Sequence, residues 1–171
     1  MNNYISNLFR ILNRQDKELF VIVDAARDNK VIEFLIDVLD ELNYESLFND
    51  ETQTIFATVA PYLVLMSKKS NSLETLIDSG WGKSWGIFFT SNDSFQNVKN
   101  HFHQQLFAVN EDGKELFFRY YDPRVFRMYI SSCNHEQKRE FFGPVEYFFV
   151  EGENSHILIQ YGINSIKNIN L

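Results

Sequence analysis

Apolar residues recur along this chain in two rhythms. Ile5, Leu8, Phe9 and Leu12 fall at helical spacing and predict a helix over Asn3 to Asn13. Leu19-Phe20-Val21-Ile22-Val23 breaks that rhythm. It is a continuous, β-branched run with no polar face, which predicts a strand covered on both sides. Helical spacing returns from Val31 to Leu42 with a wide apolar stripe, as expected of a helix lying against a sheet. Tyr44 to Phe48, Ala60 to Met66 and Trp85 to Phe89 predict short strands, with Pro61 at a strand entry where a missing N–H is tolerated. A helix is predicted over Asn71 to Ser79, with Asn71 as cap, Glu74 at the capping-box position and Gly80 as the stop. Ser94 to Phe107 predicts another, with Phe95, Val98, Phe102 and Leu106 on one face.

The second half continues the alternation. Asp112-Gly113 is a hairpin signal, followed by a predicted strand from Glu115 to Tyr121. Asp122-Pro123 opens a helix, with Asp as N-cap and Pro at the first helical position. Glu136 to Phe142 predicts a short helix stopped by Gly143-Pro144. Tyr147 to Val150 and His156 to Tyr161 predict a closing antiparallel hairpin. Strands alternating with helices give an α/β class: a single domain over residues 1–171, with a mixed β-sheet and flanking helices.

Composition narrows the function. With 16 basic and 23 acidic residues the net charge is −7, which argues against a nucleic-acid footprint. The same charge would steer a basic partner segment. One cysteine, Cys133, allows no internal disulfide and no cysteine zinc site. No basic leader and no long apolar run is present, so the expected location is the cytoplasm, with no membrane partner. Aromatic residues are abundant at 16%, including 17 Phe, so some are expected to exceed what the core can hide, and exposed aromatic patches mark partner surfaces.

Motifs for chemistry fail on inspection. Gly80-Trp81-Gly82-Lys83-Ser84 lacks the glycine a phosphate loop needs five positions before Gly82, where Ile77 stands. It also follows a predicted helix rather than a strand. His101 and His103, two apart on a helix, point to different sides and cannot share a metal ion. No nucleophile elbow exists, and Cys133 has only the sequence-adjacent His135. Two charged clusters at strand ends remain: Val23-Asp24-Ala25-Ala26-Arg27-Asp28 and Phe118-Arg119-Tyr120-Tyr121-Asp122-Pro123-Arg124. Such positions hold ligand sites in open sheets, and they equally hold capping carboxylates and Arg–Asp pairs that lock a turn. Asp24 and Arg27 are expected as a structural ion pair.

The second cluster carries a resemblance. Asp112-Gly113-Lys114, Phe118 to Val125 and Phe141-Phe142-Gly143-Pro144 resemble the family of type VI secretion effector adaptors and chaperones. Val23 to Arg27, Tyr44 to Phe48, Ala60 to Val64, and Gly80-Trp81-Gly82 with Trp85 to Phe88 agree in the same order, so the likeness spans about Leu19 to Val145. The resemblance implies a non-enzymatic protein without cofactor, metal or small-molecule substrate. It would bind the N-terminal region of an effector and help load it onto a VgrG-type spike protein. Many relatives continue into a C-terminal lobe, whereas this sequence stops soon after Tyr161. Expected partner contacts are Arg119, Tyr121, Asp122 and Arg124, with Trp81, Trp85, Phe142 and Pro144 as apolar contacts. Within the cluster, Asp122 and Arg119 are expected to shape the surface, and Tyr121 and Arg124 to touch cargo. Two alternatives stand beside this reading. One is an immunity protein that inhibits a cognate toxin. The other is a hydrolase, which would require Asp24 and Asp122 to converge with one raised pKa.

Overall fold

The computed structural model describes residues 3–38, 42–48, 56–67, 71–110 and 112–171. In chain order these form α1 (Asn3–Asn13), β1 (Glu18–Asp24), α2 (Asn29–Asp37), β2 (Asn43–Ser46), a 3-10 turn (Ala57–Val59), β3 (Pro61–Leu65), α3 (Ser72–Gly80) and β4 (Gly86–Ser91). Then follow α4 (Phe95–Gln104), β5 (Phe107–Val109), β6 (Glu115–Phe117), α5 (Pro123–Ser132), α6 (His135–Phe142), β7 (Val145–Glu151), β8 (Ile157–Gly162) and β9 (Ser165–Asn170).

Seven strands form one sheet in the order β2-β3-β1-β4-β7-β8-β9, and β5 pairs with β6 in a separate hairpin. The α/β class with flanking helices holds, but every described pairing is antiparallel where a mixture of directions was expected. Two connections are crossovers: α2 carries the chain from β1 past β3 to β2, and α3 carries it from β3 past β1 to β4, each time to a strand parallel to the one it left with an antiparallel strand between them.

The continuous run in β1 is explained by two cores. Leu19, Val21 and Val23 face one core, built with residues of α1, α2 and α3. Phe20 and Ile22 face the other, which collects Val98 and Phe102 of α4, Phe126 and Ile130 of α5, and Phe141 and Phe142 of α6. The chain is therefore a three-layer sandwich, with first-half helices on one face and second-half helices on the other. The abundance of phenylalanine is largely spent in the second core. Phe89, Phe102, Phe126, Phe141 and Phe148 are all buried there and contact one another at ring-centroid distances of 4.8–6.2 Å. Gly86 has a packing reason: a Cβ there would lie 2.0 Å from the Ile22 carbonyl oxygen, so β4 could not approach β1.

Element ends follow their residues unevenly. Asp122 caps α5 by accepting from the Arg124 amide, with Pro123 in the first turn, as the Asp-Pro signal predicts. Asn134 and Gln137 form a capping box on α6. Asn71 sits at the N-cap of α3 but its side chain makes no capping hydrogen bond. The predicted end of the second helix falls partly on residues 39–41, outside the described residues. The strand predicted from Glu115 ends at Phe117, because Phe118 to Tyr121 turn inward to the core. No helix among the described residues is long and apolar enough to cross a membrane.

Candidate functional site

The two charged strand-end clusters, ninety-five residues apart in sequence, meet in space. Asp24 ends β1 with its side chain wholly buried, and Arg119, half-exposed, donates to its Oδ2 through Nη2. The other Asp24 oxygen accepts from the Ala26 amide at 3.1 Å, closing a turn at the strand end. Beside them, the buried Asp122 carboxylate accepts from Arg124 three times: from its amide at 2.9 Å, from Nε at 3.0 Å and from Nη2 at 2.5 Å. Tyr121 is packed between the pairs with its side chain buried.

The electrostatics separate the two carboxylates. Burial pushes Asp24 above its ordinary value, and the hydrogen bond and charge of Arg119 only partly offset this. Burial also pushes Asp122 up, but the bonds and charge of Arg124 outweigh it and hold this carboxyl below its usual range. Tyr121 is pushed far above the ordinary phenol range by burial and then by the Asp24 charge. One raised and one lowered carboxyl is the pattern an acid–base pair would need. Here, however, each carboxylate has both oxygens engaged, one pair closing a strand end and the other capping a helix. The arrangement builds a rigid turn and presents guanidiniums outward.

The expected Asp24–Arg27 ion pair is corrected. Arg27 contributes its amide to the Asp24 carbonyl at 3.0 Å, while its guanidinium reaches the Lys83 carbonyl through Nε at 3.1 Å. Arg119, not Arg27, neutralises Asp24, because it approaches the buried carboxylate from the facing segment.

Arg27 thereby ties the cluster to the glycine–tryptophan turn. That turn carries two residues with positive φ, Gly82 at 82° and Ser84 at 58°. Its amides converge on a carboxylate, but one supplied by the chain itself: Gly82 N donates to Glu151 Oε2 at 2.5 Å, and the Ser84 amide and hydroxyl also bond to this group. Glu151 is buried at the end of β7 and raised above its ordinary value, mainly by burial. Trp81 Nε1 donates to the Ser155 carbonyl at 2.7 Å, fastening the turn to the β7–β8 connection. The phosphate-loop-like sequence is thus an internal latch filled by Glu151.

The apolar contact candidates move to the interior. Trp81 and Trp85 are buried, and the Trp85 ring packs directly over Gly80. Phe142 is buried against Phe148. Pro144 is partly buried, and its carbonyl accepts from Ser91 Oγ at 2.8 Å at the opposite end of the sheet from Asp24. Tyr121, Trp81, Trp85 and Phe142 therefore build the core rather than a docking surface, since a large ring beside a well-packed sheet is better shielded than presented. Arg124, with 54% of its side chain accessible, is the member of the predicted set most open to a partner.

The exposed aromatic surface lies elsewhere. The β5–β6 hairpin stands apart from the main sheet, and all six of its strand residues are exposed. Phe107, Val109, Leu116 and Phe117 are each 45–70% accessible. Phe117 contacts Phe107 and Phe48, each at 5.7 Å between ring centroids, and Phe48 reaches the exposed Phe56 at 6.5 Å. This patch adjoins the end of the edge strand β2. The sequence marked the hairpin through Asp112-Gly113, and its apolar strands could have been read as too short to be covered on both faces.

Fold and site together define an antiparallel α/β sandwich whose strand ends are locked by buried carboxylates and outward-facing arginines, with a projecting aromatic hairpin. The chain belongs to the family described as a domain of unknown function, DUF4123, whose model matches residues 19–140. The match contains both charged clusters and the hairpin and ends before β7. No curated protein and no solved structure matches the chain.

Proposed function

We propose that this protein is a non-enzymatic cytoplasmic adaptor and chaperone, which binds the N-terminal region of a type VI secretion effector and helps load it onto a VgrG-type spike protein. The reading rests on the ordered sequence segments that resemble such adaptors. The structural observation that carries it is the exposed aromatic hairpin. An adaptor needs a surface that grips without chemistry, and contiguous exposed rings on a soluble domain supply the desolvation energy for that. A chaperone of this kind acts by mass action, keeping an apolar effector segment bound and out of aggregates. The carboxylates of the arginine–carboxylate cluster are scaffold, with Asp24 and Asp122 engaged in closing turns.

Co-expression with the effector encoded beside it tests the proposal. The effector should stay soluble and co-purify with the intact protein, and Phe107→Ser with Phe117→Ser should abolish both effects. Inhibition of the effector's enzymatic activity in vitro, with no effect on its solubility or delivery, would instead favour an immunity protein.

A further inference from the structure

A second surface lies at the other side of the sheet from the hairpin. A groove of about 720 Å³ runs between α5 and the strands β8 and β9, its sides formed by Arg124, Arg127, Met128, Ile157, Ile159 and Tyr161. Its floor is apolar, and Met128 stands 76% exposed above it with no core to fill. Its cations are held from beneath. Asp122 grips the Nε and Nη2 edge of Arg124, and the Glu151 carbonyl accepts from Arg127 Nη1 at 2.6 Å. The carboxylates of Asp122 and Glu151 are buried, so this layer turns negative charge inward and guanidinium outward. The acidic residue on the rim is Glu153. On a chain of net charge −7 this is a local reversal of sign.

From this charge layering and the apolar floor we infer that the groove docks an acidic amphipathic peptide segment of a partner protein, apolar side chains against Met128 and Ile159 and carboxylates on Arg124 and Arg127. Guanidiniums already held by an internal acceptor, the Asp122 carboxylate for Arg124 and the Glu151 carbonyl for Arg127, lose little freedom on pairing, and their remaining N–H groups match carboxylate geometry. The inference goes beyond the adaptor reading and does not need it. It does give the molecule two chemically distinct faces, one aromatic beside β2 and one arginine-rimmed over β8 and β9, at opposite edges of one sheet.

Fluorescence anisotropy tests it with the full chain and a labelled peptide alternating Leu and Glu. The peptide should bind, weaken as salt rises, and lose about tenfold in affinity with Arg124→Gln and again with Met128→Glu. Met128 makes no interior contact, so its variant should keep the wild-type melting temperature. A counterpart with Lys for Glu should not bind. The inference is overturned if neither variant changes the affinity, if both peptides bind equally, if a single-stranded oligonucleotide competes as well as the acidic peptide, or if no binding is seen. Phe107→Ser with Phe117→Ser should leave peptide binding intact, so failure of the adaptor reading and failure of this one are separable.

Discussion

Arg119→Met isolates the bond that joins the two halves of the cluster. It leaves Asp24, whose side chain is wholly buried, without its guanidinium. Removing one partner of a buried pair costs ~3–5 kcal/mol when the remaining charge has no escape. Asp24 does have one, because it can take a proton. Protonating a carboxyl of ordinary value 3.8 at pH 7 costs about 4 kcal/mol, at ~1.4 kcal/mol per unit. That sets a ceiling, and screening at the half-exposed Arg119 lowers the expected loss to ~2–4 kcal/mol. At pH 5 the same proton costs only about 1.6 kcal/mol. The sign follows from linkage. Asp24 already lies above its ordinary value in the folded chain, mainly through burial, and without Arg119 it rises further. The folded variant then binds a proton that the unfolded chain does not, so its stability climbs as pH falls from 7 towards 5. Urea unfolding followed by the fluorescence of the buried Trp81 and Trp85 reads this directly. Asp24→Asn in the same chain removes the stranded charge and keeps an acceptor for the Ala26 amide, so the double variant should regain most of the loss at pH 7. Equal destabilisation at both pH values, or no rescue, would refute the reasoning.

Other outcomes follow from the same geometry. Glu151→Ala strands the Gly82 and Ser84 amides in a turn with two positive φ angles and should cost ~2–4 kcal/mol in urea unfolding. Arg124→Ala leaves the buried Asp122 capping α5 through the backbone amide but without its guanidinium, so it should lower stability at pH 7 by ~1–2 kcal/mol, less than Arg119→Met because Arg124 is the more exposed arginine. His101, lowered by burial while its ring Nε2 bonds the Phe141 carbonyl at 2.8 Å, resists protonation in the folded state. Stability it contributes should therefore be lost as pH falls through 6.5, and His101→Gln should flatten that part of a melting-temperature profile. Gly86→Ala should fail to accumulate as soluble folded protein, since its Cβ would overlap the Ile22 carbonyl oxygen.

Local signals were legible where local physics decides. The helical spacing of Ile5, Leu8 and Leu12 fixes α1, and the Asp122-Pro123 pair fixes the start of α5. The unbroken run in β1 announces a strand between two cores, although nothing in it says which way its neighbours run. β9 is absent from the sequence reading because Ser165 to Asn170 is an exposed edge strand, with only Ile166 and Ile169 apolar and no alternation to detect. Arg27 was the expected partner of Asp24 by proximity along the chain. The observed partner comes from Arg119, and which arginine arrives is a property of the whole fold. The same holds for exposure. Phe107 and Phe141 are the same residue type, yet one is half-exposed on a two-stranded hairpin and the other, on α6, is buried in the second core. A sheet of two strands has no second layer of its own to hide its rings, and the sequence shows the hairpin without showing that its rings stay half-exposed with Phe48 beside them.

Hydrogen–deuterium exchange on the protein, free and mixed with the N-terminal region of an effector proposed as its partner, tests most directly whether it works by gripping a polypeptide through its aromatic hairpin. The account predicts strong new protection across residues 107–117, with little change at Asp24 and Asp122, which are already locked. An unchanged hairpin in a stable complex, or protection confined to the arginine–carboxylate turn, would contradict it.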